Sequence, residues 1–185
     1  PTADEDLRTK PAAQIAYRDA YYTGYGLAPG MRRLYTGGAQ RYRDLYYRLH
    51  AEVDTPLDRV RKAVTDGGSA EAVLLLSADH GDLLGAHGGL HQKWYQLYDE
   101  CTRVPFSIAR IGAKATNGTV VDDLATSHVD IVPTLLSVAG IDEAAVAEQL
   151  RPDFTELHPL PGRDLTPLVD GDEAAHLQAD ARAVY

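Results

Sequence analysis

The sequence predicts an α/β layered fold, in which helices pack on a sheet. Three observations carry that expectation. Apolar residues recur at helical spacing from Tyr42 to Val64, an unbroken apolar run fills residues 72–78 and stops at a polar, glycine-containing turn, and a second helical pattern spans residues 129–139. The chain of 185 residues is 44% hydrophobic and 24% charged, which suits one globular domain with a core.

Residues 1–39 read as an irregular, tyrosine-rich segment, with Tyr21, Tyr22 and Tyr25 set among glycines and with Pro29-Gly30 and Gly37-Gly38 as punctuation. Tyrosine has an apolar body and a polar tip, so this composition suits a layer packed on something else or a solvent-facing loop. From there, Tyr42, Leu45, Tyr46, Leu49, Val53, Leu57, Val60 and Val64 step by three and four and predict one helix or two. Pro56 lacks an N–H, so it predicts a kink or a break at which Thr55 caps a second helix. Residues 66–69, Asp-Gly-Gly-Ser, end the pattern.

The run at residues 72–78 has strand length and no alternation, as a parallel strand covered on both faces would. It is the expected central strand. Residues 104–109 form a weaker run, which Pro105 confines to a strand start or an edge. Val129, Val132, Leu135, Leu136 and Val138 predict a helix with Pro133 in its first turn and Gly140 as terminator. A short helix is expected at residues 142–150, and Pro152, Pro159 and Pro161 predict an extended path over residues 151–162.

Composition narrows the partners. Acidic residues exceed basic ones by 27 to 18, a formal charge of -9, which argues against nucleic acid and against an anionic membrane surface. The single cysteine, Cys101, excludes an internal disulfide and a thiol-rich zinc module. No run approaches a membrane span, and the acidic opening is the reverse of a signal peptide, so a soluble piece is expected with no compartment assigned.

In open α/β sheets, ligands bind beyond the carboxyl ends of strands, and the first polar residues past the central run are Asp79 and His80. A carboxylate oxygen and a neutral ring nitrogen together suit a divalent cation. The alternative is that Asp79 caps the turn and His80 bonds a backbone carbonyl. Two ligands do not complete a sphere, and Asp82, His87 and His91 are the candidates within reach. A helix bringing His87 and His91 to one zinc is disfavoured by Gly85, Gly88 and Gly89, so a glycine-permitted loop carrying His91 and Lys93 over the strand end is the better picture. Lys93, beside Trp94 and Tyr95, suits an oxyanion; a surface lysine is its alternative.

These pieces together resemble a known family. Asp79-His80-Gly81-Asp82-Leu83-Leu84-Gly85 after an apolar strand, then Lys93-Trp94-Tyr95, Arg103-Val104-Pro105, and Val129-Asp130-Ile131-Val132-Pro133-Thr134-Leu135-Leu136 with Ala139-Gly140-Ile141, stand in the order found in type I sulfatases of the alkaline-phosphatase-like superfamily. The match is collinear over about residues 40 to 170. The resemblance implies an alkaline-phosphatase-like layered sheet with flanking helices, present here as an incomplete part. It makes Asp79 and His80 ligands of one divalent cation, usually calcium, with manganese or magnesium in relatives. Lys93 and His91 would contact the sulfate. His50 and His128 are expected to pack or cap.

The family's N-terminal half contributes two metal-binding acids and a Cys-x-Pro/Ala-x-Arg motif whose cysteine becomes formylglycine. Neither is expected here: Cys101 is followed by Thr102-Arg103-Val104-Pro105 and is read as a small buried residue, not the nucleophile. Residues 40–185 are thus read as the carboxyl-side part of a sulfatase-like catalytic domain, inactive alone, whose partners are the remainder of its own polypeptide and a small-molecule sulfate ester. Hydrolysis of a phosphonate monoester or phosphodiester, and a non-catalytic degenerate module, are the alternatives.

Overall fold

The computed structural model describes residues 2–24, 39–67, 71–112 and 125–170. The chain divides into two compact units, Pro1–Gly67 with Leu75–Ser107, and Gly68–Leu74 with Ile108–Tyr185.

The first unit opens with a 3-10 turn at Leu7–Thr9, capped by Asp6, whose carboxylate accepts the Arg8 amide at 2.9 Å. Helix α1, Ala12–Gly24, follows. It corrects the expectation of an irregular segment over residues 1–39. The carbonyl of Pro11 accepts the Gln14 amide at 2.9 Å, and Ala12, Ala13, Ala16 and Ala20 favour the helix. The apolar stripe is sparse, which hid it: Ile15 and Tyr17 pack on a core of Leu7, Leu83, Leu90 and Cys101, and Tyr21 is buried. Residues 25–38, including Pro29-Gly30 and Gly37-Gly38, lie outside the described residues.

Helix α2, Ala39–Asp66, continues through Pro56, so the break that the proline allowed is not made. Its stripe is half open, with Leu45, Leu49, Val53, Leu57 and Val60 between 44% and 58% exposed. Ion pairs one turn apart, Arg48 with Glu52 and Lys62 with Asp58, line the polar side.

Strands β1, Glu71–Ser77, and β2, Phe106–Gly112, are hydrogen-bonded neighbours in a two-stranded sheet. Pro105 stands just before β2, at the strand start that its missing N–H tolerates. The expected central strand begins one residue earlier than its apolar run and is not covered on both faces among the described residues. One strand lies beside it there, and Leu76 is 45% exposed. Between the strands run a turn at Ala86–Gly89 and the short helix α3, Asp99–Thr102, which carries Cys101 into the core.

In the second unit a 3-10 turn at His128–Asp130 leads into helix α4, Ile131–Val138, with Pro133 in its first turn. Gly140 terminates it at φ +68°, a left-handed conformation that favours glycine. Helix α5, Glu143–Leu150, is capped by Asp142 on the Ala144 amide at 2.9 Å, and a 3-10 turn at Arg151–Asp153 interrupts the expected extended path. Buried Asp130 accepts the Arg163 amide at 2.6 Å, and the Thr134 hydroxyl accepts the Leu165 amide at 3.0 Å, fastening the segment before helix α6, Thr166–Val169. No helix among the described residues is long and apolar enough to cross a membrane.

Candidate functional site

The end of β1 is pinned before any functional group is placed. The Ser77 hydroxyl donates to the Pro105 carbonyl at 3.0 Å, and the Gly81 amide donates to the Cys101 carbonyl at 2.9 Å. A Cβ at Gly81 would lie 2.0 Å from the Glu100 carbonyl oxygen, so only glycine lets the chain pass this close. Asp79 and His80 are thereby held on a tight turn at the strand's carboxyl end.

Each of these two side chains divides its atoms between backbone and neighbour. Asp79 Oδ1 accepts the His80 amide at 3.0 Å, which is the turn cap of the alternative reading. Its other oxygen, Oδ2, lies 3.2 Å from His80 Nε2. His80 Nδ1 lies 2.8 Å from the Gly81 carbonyl, an acceptor only, so Nδ1 carries the proton of that bond. The Asp79 side chain is 86% exposed, His80 is partly so, and Lys93 Nζ reaches His80 Nε2 at 2.5 Å.

An oxygen and a nitrogen lone pair 3.2 Å apart repel unless a positive charge or a proton lies between them. The Lys93 ammonium offsets part of that repulsion by donating to Nε2. A hard cation satisfies the same pair, and the Nδ1–H to carbonyl bond is the outer-shell arrangement that orients a metal-binding imidazole. The donor chemistry therefore fits part of a cation's sphere. Among the described residues no group of three or more His, Cys, Asp or Glu side chains assembles for a metal, so these residues offer the Asp79 and His80 pair.

Lys93 reaches the strand end from a loop of unusual backbone. Leu84, Gly85, His87, Gly88, Gly89, Gln92 and Tyr95 all have φ between +47° and +87°. The Lys93 ammonium lies 4.9 Å from the centre of the Trp94 ring, whose indole N–H donates to Gln92 Oε1 at 3.3 Å. Tyr95 is largely exposed and meets Tyr17 edge-on.

The other sequence candidates separate. His91 is 2% exposed, stacked on Tyr21 at 5.5 Å and edge-on to Tyr42 at 5.0 Å. Burial pushes its pKa down to about 4, against the attraction of Asp82. His87 turns away from His91: Nδ1 meets Glu5 at 2.8 Å, Nε2 meets Glu100 at 3.1 Å, and the ring stacks on Tyr98 at 3.7 Å. Lys10 and His87 together hold the Glu5 carboxyl below its usual value. Nothing in the sequence signals this latch, because Glu5 lies 82 positions from His87 in an acidic stretch that reads as a solvated end. Asp82 directs Oδ1 at two backbone amides, Leu84 at 2.8 Å and Gln92 at 3.1 Å. Burial, with Asp82 and Glu100 nearby, pushes the Cys101 thiol up to about 11. His50 bonds the Tyr46 carbonyl on α2, and His128 opens the 3-10 turn before α4.

Comparison with known proteins gives these residues a family. The chain is 36% identical over 102 residues to Arylsulfatase K of Danio rerio, covering 55% of this chain and 18% of that protein. It is 34% identical over 133 residues to an arylsulfatase of Volvox carteri, covering 69% and 19%, and 29% identical over 102 residues to the uncharacterized sulfatase YidJ of Escherichia coli K12, covering 55% and 20%. The chain thus spans about a fifth of the length of the curated relatives it matches. No solved structure matches it. Residues 2–141, which include the β1 end, the glycine loop, Lys93 and α4, match the family Sulfatase, and the chain belongs to the sulfatase family.

Proposed function

We propose that the full-length polypeptide carrying this chain hydrolyses sulfate esters, and that this chain supplies part of the metal and sulfate site. The observation that carries the reading is that Asp79 Oδ2 and Lys93 Nζ each meet His80 Nε2 at the end of β1, in a chain of this family. Asp79 and His80 would hold one divalent cation, calcium by the family resemblance, with the remaining ligands on polypeptide outside this chain. When bound, that cation supplies Lewis-acid charge against the oxygens of the transferring group.

The residues of this chain have separate tasks. His80 keeps Nε2 outward because Nδ1 is committed to the Gly81 carbonyl. Nε2 has one lone pair, so it serves either a cation or the Lys93 ammonium. With a cation held on Nε2, Lys93 would be free to contact the sulfate oxygens, adding a point charge and three donors where negative charge develops. The resemblance also carries His91 to the anion, whereas here its ring is buried against Tyr21 and Tyr42. Cys101, buried with a raised pKa, is not the nucleophile, which belongs to the rest of the polypeptide.

The test uses the full-length protein with matched aryl sulfate, phosphodiester and phosphonate esters. Cleavage of the sulfate ester in preference to the other two, abolished by a chelator and restored by calcium, is the expected result. Preference for a phosphorus ester would move the protein to that branch of the superfamily. Retained metal affinity in Asp79→Ala and His80→Ala would remove both residues from the site.

A further inference from the structure

We propose that Asp82 is the positioning residue for Lys93, tying the backbone on which the lysine stands to the turn that carries Asp79 and His80. The proposal rests on the sulfate-binding reading of Lys93 and names what sets its reach. Asp82 Oδ1 accepts two amide protons, from Leu84 at 2.8 Å and from Gln92, ten positions on, at 3.1 Å. The first bond is a local turn; the second closes the glycine loop at its base.

Gln92 is held from both sides of its backbone. Its amide goes to Asp82, and its carbonyl accepts the Leu83 amide at 3.1 Å and the Cys101 thiol at 3.3 Å. Its φ is +57°, a conformation that a non-glycine residue keeps only when its surroundings impose it. Lys93 is the next residue, and its ammonium ends 2.5 Å from His80 Nε2. The intervening loop is anchored by buried Leu90 and His91 and by the His87 pairs with Glu5 and Glu100, and the Asp82 bond to Gln92 is the anchor that stands directly before Lys93. It comes from a carboxylate two positions beyond His80.

Three variants of the full-length protein separate positioning from folding. Asp82→Ala removes both bonds. Asp82→Ser keeps an oxygen for Leu84 but is too short for Gln92, and Asp82→Asn keeps Oδ1 for both. Inhibition by inorganic sulfate and kcat/KM for an aryl sulfate are measured for each, alone and combined with Lys93→Met.

Asp82→Ala and Asp82→Ser are expected to weaken sulfate inhibition roughly tenfold, a loss the size of one misplaced charge-assisted hydrogen bond. Asp82→Asn should stay within about threefold of wild type, because its oxygen still accepts both amides. In the Lys93→Met background the Ser change should cost nothing further. Hydrogen exchange at the Gln92 amide should accelerate in Asp82→Ser and not in Asp82→Asn. Effects of Asp82→Ser and Lys93→Met that multiply, or unchanged Gln92 exchange, overturn the proposal. A wild-type protein that neither binds nor cleaves sulfate overturns the functional reading instead, and Gln92 exchange still reports whether Asp82 holds the Lys93 segment.

Discussion

Lys93 Nζ lies 2.5 Å from His80 Nε2, thirteen positions away along the chain. The ring's other nitrogen is committed to the Gly81 carbonyl at 2.8 Å, so the ammonium meets a lone pair that has been aimed at it. Two structures meet at that contact: a strand end pinned by Gly81, and a loop closed by Asp82. Neither one alone brings the lysine to the imidazole.

Removing the ammonium tests the contact from the anion's side. In the full-length protein, Lys93→Met keeps the length of the stem and its packing but loses the charge. Inhibition by inorganic sulfate should weaken roughly 10- to 100-fold, the range for losing a hydrogen bond to a charged group of about 1.5–3 kcal/mol. Lys93→Arg should recover only part of it, since a planar fork does not replace a point charge. Inhibition constants for sulfate across the three proteins check this.

Cys101 should behave as a packed side chain. The residue is 4% exposed, its thiol donates to the Gln92 carbonyl, and burial pushes its pKa up to about 11. A thiol so raised has about a hundredfold less thiolate at a given pH, before access is counted. Alkylation by iodoacetamide at a pH of about 8 should therefore be slower in the native protein than in urea by at least about a hundredfold. Native labelling at the unfolded rate would contradict the burial.

The parts of the fold that were legible in the sequence share a cause, a local pattern strong enough to act alone. The β1 run, the α4 stripe with Pro133 and Gly140, and the short helix at residues 142–150 are each read within about ten residues, and each stands close to where it was expected. Helix α1 was missed because its apolar stripe is sparse, Ile15, Tyr17 and Tyr21 set among alanines and polar residues, although Tyr21 is buried against His91. At the site, residue types and their nearness to a strand end were legible for Asp79, His80 and Lys93. The Glu5 and Glu100 latch on His87, and the Asp82 bond to Gln92, were not, because backbone φ values such as +47° at His87 and +57° at Gln92 decide them. A sequence shows glycines that permit such angles and is silent on non-glycine residues that adopt them.

His91 sets a pH window on stability. Burial lowers its folded pKa from the ordinary 6.5 to about 4. Between those values the unfolded chain binds a proton that the folded chain does not, so stability rises with pH across the window. It is fully present above about pH 6.5 and lost progressively as pH falls toward 4. The loss amounts to at most about 3.5 kcal/mol, at about 1.4 kcal/mol for each pH unit between the folded and unfolded values. In the full-length protein, His91→Phe should flatten this part of the stability profile, read from urea midpoints at pH values of about 4.5, 5.5 and 7. An equally steep profile in the variant would assign the dependence to other groups.

Gly81→Ala tests whether the strand end is pinned as tightly as its contacts require. The added Cβ would lie 2.0 Å from the Glu100 carbonyl oxygen and 3.0 Å from its carbon, both backbone atoms that no rotamer change can move. Either the Gly81 to Cys101 hydrogen bond lengthens or α3 shifts, and both displace the turn that holds Asp79 and His80. Overpacking of this kind costs about 1–3 kcal/mol and sometimes more. Because the strain falls on the site, metal affinity should drop along with stability. Gly140→Ala is the control: its Cβ meets nothing within 4 Å, so only the left-handed φ of +68° is penalised. It should cost about 1 kcal/mol of stability and leave metal affinity unchanged. Calorimetry of divalent-ion binding beside urea midpoints separates the two, and a Gly81→Ala protein that binds the ion as wild type would show that the turn tolerates the displacement.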